Sequence, residues 1–129
     1  MGKLLVWVLC CVSLIGNAQE DTIRVMHYNL LNYGNYTSYC TSLNNNIDNK
    51  DDYLTTILDY VKPDVFTVNE LGIDFVGLEN QYAMRILDST LNINGVTKYK
   101  KAEYTGNGYT VNMIYYKSTS NCLIVWCFF

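Results

Sequence analysis

Two short apolar runs that each close on a polar side chain, with one helical pattern between them, constrain this chain more than any other feature. Arg24 to Asn29 and Asp64 to Glu70 are rich in β-branched and aromatic residues and have the length of strands. From Lys50 to Lys62, Tyr53, Leu54, Ile57, Leu58 and Val61 recur at helical spacing and form one apolar stripe. Asn49 is a suitable N-cap, Asp51 and Asp52 favour the positive end of the helix dipole, and Pro63 forbids continuation. Strand, helix and strand at this spacing predict a β-α-β unit, whose crossover makes the strands parallel and brings both strand ends to one edge of the sheet. Asn29 and Glu70 are then expected to face a single crevice, where open α/β sheets hold ligands.

The first strand, from Ile23 to Leu30, alternates little and is expected to be covered on both faces. Leu31 to Asn49 reads as a long polar loop leaving the site edge, a length that is usually functional or mobile. Beyond Glu70, a second helix is expected from Leu78 to Leu91 with Ala83, Ile86, Leu87 and Leu91 on one face. Lys98 to Tyr104 and Tyr109 to Lys117 alternate as strands around the turn signal Gly106-Asn107-Gly108. There is no internal repeat, and the class is α/β.

At 129 residues the chain holds one domain at most. Lys3, the apolar run Leu4 to Ile15 and the small residues before Gln19 read as a secretory signal peptide over 1–18, implying export. The apolar run is too short to span a bilayer, which takes about 20 residues; a short membrane anchor is the alternative. No transmembrane segment is expected after signal cleavage. Cys40, Cys122 and Cys127 would then meet an oxidising compartment, with one disulfide and one odd thiol the simplest arrangement and no zinc spacing among them. A net charge of -3 argues against non-specific, charge-driven nucleic-acid binding. The segment 118–129 is atypically apolar, and is read either as a buried terminal strand or as the product of a truncated or shifted frame near Ser118.

The stretch Val25-Met26-His27-Tyr28-Asn29-Leu30-Leu31-Asn32-Tyr33-Gly34, followed at a helix's distance by Lys62-Pro63-Asp64-Val65-Phe66-Thr67-Val68-Asn69-Glu70, resembles the opening of the endonuclease/exonuclease/phosphatase superfamily with its DNase I-like fold. The resemblance implies that 19–117 is the N-terminal half of an α/β sandwich, a mixed sheet with flanking helices, incomplete without its second half. By the same resemblance Asn29 matches the asparagine near the scissile phosphate, and Glu70 the glutamate that binds Mg2+ or Mn2+. The implied substrate is a phosphoester, either a nucleic acid or a phosphorylated small molecule or lipid head group, and no stable protein partner is expected. Asn69 stands where the family usually has glutamine. The family's catalytic histidine and aspartate belong to its second half and have no counterpart here.

Glu70 also suits the cation on chemical grounds, because magnesium takes one or two hard carboxylates and completes its shell with water and phosphate oxygens. Asn29 beside it would donate to a phosphate oxygen. The sole histidine, His27, is expected to be a hydrogen-bonded core residue rather than a general base. Asp48, Asp51 and Asp52 lack the glycine and glutamate of a calcium loop and read as ordinary helix-start acids. Lys98, Lys100 and Lys101 read as protection of an exposed edge strand. A non-catalytic secreted module that binds metal or phosphate through Asn29 and Glu70 is the alternative function.

Overall fold

The computed structural model describes residues 22–96, 98–103 and 108–118. The expected signal peptide at 1–18, all but Ser118 of the apolar segment 118–129, and Gly106 and Asn107 of the expected turn lie outside the described residues.

The expected β-α-β unit is present. Strand β1 (Val25–Tyr33), helix α1 (Ile47–Val61) and strand β2 (Val65–Gly72) follow one another, and β1 pairs with β2 in parallel from Val25 opposite Val65 to Asn29 opposite Asn69. A small hairpin, β3 (Phe75–Val76) with β4 (Glu79–Asn80), leads into helix α2 (Gln81–Ile86). Strands β5 (Tyr99–Lys101) and β6 (Thr110–Lys117) complete a mixed four-stranded sheet in the order β1-β2-β6-β5. The protein is thus mixed α/β.

Helix α1 starts earlier than the spacing predicts. Asn46, not Asn49, is the cap, its side-chain oxygen accepting from the backbone N–H groups of Asp48 and Asn49, and this start lets Ile47 pack against the core. At the far end Lys62 turns into the left-handed region and its N–H bonds Leu58 O, after which Pro63 closes the helix. The buried face is Asp51, Leu54 and Leu58. Tyr53, expected on the apolar stripe, is instead 67% exposed. Asp51 is correspondingly no solvated helix-start acid, because it lies three residues before Leu54 on the inward face. Its carboxylate accepts from Tyr33 OH and, at 2.6 Å, from Arg85 Nε, while Arg85 also pairs with Asp48. Burial and this neighbouring carboxylate push the Tyr33 hydroxyl far above the usual tyrosine range.

Helix α2 begins three residues later than expected, because Glu79 and Asn80 are consumed by the hairpin and Asn80 caps the helix through Tyr82 N. It then widens into a π turn over Leu87–Leu91, closed by Asn92 N to Leu87 O at 2.8 Å. Ala83, Ile86 and Leu91 are buried as the periodicity predicts, and Leu87 is partly so.

The helices cover one face of the sheet. Phe66, Val68, Met113 and Tyr115 are buried on that face, whereas Thr67, Asn69, Ile114 and Tyr116 on the other are only partly shielded. Strand β1 is an edge strand with a largely exposed side-chain pattern, so the expectation that it is covered on both faces is corrected: Val25 and Leu31 are 67% and 62% exposed. No strand pairs with its outer side among the described residues. Strand β5 is the other edge, as the lysines suggested, although Lys101 reaches Glu79 at 2.6 Å rather than standing free. At the N-terminal edge of β2, Lys117 Nζ and the Arg24 backbone N–H both donate to Asp64 and hold its carboxyl below the usual carboxylate range.

The expected long loop is shorter, spanning 34–46, and it is braced from within. Asn45 is buried and donates to both Asn32 O and Asn35 O at 3.0 Å, while Asn44 Oδ1 accepts from Thr41 N at 2.7 Å. Cys40 on this loop forms no disulfide among the described residues, and Cys122 and Cys127 lie outside them.

Candidate functional site

Asn29 and Glu70 meet. Asn29 Nδ2 donates to Glu70 Oε1 at 2.9 Å, at the rim where β1 and β2 end. Simple strand alternation does not predict this contact. Asn29 and Asn69 are opposite one another in the ladder and share the face away from the helices, so a regular strand would turn Glu70 to the helix side with Phe66 and Val68. Instead Glu70 has φ +56°, the register slips between Val68 and Leu71, and Leu71 takes the core-facing place with its side chain fully buried. The bulge thereby returns the carboxylate to the Asn29 side.

Strand β1 bends at the same level. Leu31 and Asn32 have φ +50° and +56°, and the ladder slips between Asn29 and Tyr33. Each left-handed non-glycine residue costs roughly 1–2 kcal/mol, and three of them gather at these two strand ends. The bend is held by Lys50, whose ammonium donates to Leu30 O at 2.6 Å and Leu31 O at 2.8 Å. Leu31 N in turn donates to Asn29 Oδ1 at 2.7 Å. A continuous path of hydrogen bonds therefore runs from Lys50 through the β1 backbone and the Asn29 amide to Glu70. Burial lowers the Lys50 ammonium below the usual lysine range, partly offset by nearby Cys40 and Glu70. Sequence reasoning missed Lys50; the signal was its place in the first turn of the helix that follows the site strand.

Replacing Lys50 with methionine strands two carbonyls on a bent segment. The expected loss is about 1.5 kcal/mol, the low end for hydrogen bonds to a charged group because the site is partly solvated. Urea denaturation measures it, and the side-chain amide resonance of Asn29 is expected to move toward its free-amide position in the same variant.

Beside Asn29 opens a cleft of about 310 Å3, lined among others by Tyr28, Leu31, Leu43, Asn49, Lys50 and Tyr53. Among the described residues no acidic side chain lines it, and Glu70 stands outside it. His27 is exposed rather than in the core, the expectation failing because β1 is an edge. Its Nδ1 is 2.8 Å from Thr67 Oγ1, so the hydrogen bond itself is present.

The rim offers a hard divalent cation a single protein carboxylate, so water would have to complete most of its shell. Glu70 supplies that carboxylate, the fewest with which magnesium is ordinarily held, and no group of three or more His, Cys, Asp and Glu comes together among the described residues. Asn69 Oδ1, one residue before Glu70 on the strand, is buried without a hydrogen-bond partner among the described residues. A buried acceptor of this kind is satisfied by an ordered water or an ion.

Comparisons with models of known families, with curated proteins and with solved structures found no match to this chain. No helix among the described residues is long and apolar enough to cross a membrane.

Proposed function

We propose that the chain carries the cation-and-phosphate end of a metal-dependent phosphoesterase site of the DNase I-like class, exported by its N-terminal signal. The observation that supports this most is the 2.9 Å contact between the Asn29 amide and the Glu70 carboxylate at a shared strand rim. Glu70 would hold Mg2+ or Mn2+, which when bound supplies Lewis-acid polarisation of a phosphoryl oxygen. An asparagine amide has two N–H donors; one is used on Glu70, and the second is free to bond a phosphate oxygen. The Leu31 N–H on Asn29 Oδ1 fixes which way the amide points, and Lys50 fixes Leu31. The cleft beside Asn29 would receive the remainder of the ester.

Water activation is a separate matter. His27 is the only histidine in the sequence, and its Nδ1 is engaged with Thr67. We therefore favour binding of cation and phosphoester over turnover by this chain alone, which keeps the non-catalytic binding module as the second reading.

The test is manganese binding by calorimetry on the folded chain, with bis(p-nitrophenyl) phosphate as reporter substrate. Binding is expected in the parent chain and absent in Glu70→Gln, with no release of nitrophenol from either. No heat from a folded parent chain would remove the metal site, and hydrolysis lost on Glu70→Gln would make the chain an enzyme in its own right.

A further inference from the structure

We propose a second binding site, at the opposite end of the sheet from Asn29 and Glu70, for an amphiphilic oxyanion: a carboxylate or phosphate monoester carried on an apolar body. A cavity of about 640 Å3 lies there, between the C-terminal half of α1, the π turn and the start of β5. That volume is within the range of small-molecule sites.

Its lining joins apolar side chains, Leu58, Leu91, Ile93 and Val96, to cationic ones. Lys62, Lys98 and Lys117 all line it, in a chain whose net charge is -3. Lys117 is committed, because its ammonium donates to Asp64 at 2.8 Å and to Lys62 O at 3.1 Å and sits 5.8 Å over the Tyr99 ring. Lys62 and Lys98 are exposed, and neither ammonium has an ion pair or hydrogen bond among the described residues. Among the described residues Asp59 is the one carboxylate in the lining, so the lining carries two uncommitted cations and a single anion. An oxyanion answers that balance, and an apolar body answers the leucine, isoleucine and valine side chains of the lining.

The wall is preformed. Asn92 and Tyr99 exchange two hydrogen bonds of 3.0 Å each, Asn92 Nδ2 to Tyr99 O and Tyr99 N to Asn92 Oδ1, which closes the connection between the π turn and β5. Tyr99 OH donates to Pro63 O at 2.5 Å and ties that wall to the end of α1. The π turn brings Thr90 and Leu91 to the cavity, and such turns occur often at functional positions in helices. A site assembled in advance loses little entropy on binding. Nothing in this reasoning depends on Glu70.

The experiment is a two-dimensional amide NMR titration of the full chain with decanoate, decyl phosphate and, as the neutral control, decanol. Decanoate or decyl phosphate is expected to shift Leu91, Ile93 and Val96 while leaving Asn29 and Glu70 in place, and whichever binds more tightly identifies the head group. In the double variant Lys62→Gln/Lys98→Gln, both surface changes, anion affinity is expected to fall about tenfold while decanol is unaffected. Decanol binding as tightly as the anions, or shifts absent from Leu91 to Val96, would overturn the proposal.

Discussion

Replacing Tyr115 with alanine is expected to destabilise the protein by about 3–5 kcal/mol, the range for deleting a buried aromatic ring. The side chain is fully buried on β6, opposite Phe66 of β2. Its ring lies against Phe66 with centroids 5.9 Å apart and planes 24° apart, and its hydroxyl donates to Ala83 O at 3.1 Å, tying the sheet to α2. Burial alone pushes that hydroxyl far above the usual tyrosine range. Two contributions separate cleanly by mutation. Tyr115→Phe removes only the hydrogen bond, and Ala83 O keeps a helical partner in Leu87 N, so a loss of about 1 kcal/mol is expected. Urea denaturation of the two variants measures the difference; equal losses would show that the hydroxyl, not the packing, carries the residue's contribution. Small domains are stable by only about 5–15 kcal/mol, so the alanine variant is expected to be partly unfolded near body temperature.

Asp51→Ala is expected to cost about 3 kcal/mol. Removing one partner of a buried ion pair typically costs 3–5 kcal/mol, and the low end applies because Arg85 is partly exposed and keeps Asp48. The Tyr33 hydroxyl, in a side chain with no solvent exposure, loses its acceptor in the same step. The midpoint of thermal unfolding is expected to drop by roughly 12 °C or more. The pair Tyr33→Phe with Asp51→Ala measures the coupling: with the hydroxyl already gone, the second substitution is expected to cost less than it does alone. Strict additivity would mean that Tyr33 and Asp51 act independently.

The β-α-β unit was legible because three signals agreed over one stretch: apolar strands, an apolar helical stripe and Pro63 as a stop. Asp51 was harder. Read singly it is a helix-start acid, yet its spacing of three from Leu54 and seven from Leu58 places it on the inward face, and its partners Tyr33 and Arg85 are remote in sequence. The N-cap moved from Asn49 to Asn46 because several asparagines compete there, and the choice falls to the start that buries Ile47. His27 was misplaced because strand content does not reveal whether a strand is central or at an edge. At the candidate site, the residue types and the shared rim followed from the sequence, whereas the contact itself depends on a left-handed backbone at Glu70 that no propensity favours. The role of Lys50 was hidden for a related reason, since it acts on main-chain oxygens and not on another side chain.

Strand β2 lies between β1 and β6, yet β6 is the last described strand in the chain. During synthesis, β1, α1 and β2 therefore leave the ribosome well before β6 arrives to occupy the open side of β2. For that interval the nascent protein presents a row of unmatched amide and carbonyl groups beside Phe66 and Val68, a template on which neighbouring chains can pair. Its yield in a cell should thus depend on chaperone capacity more than the finished fold alone would suggest.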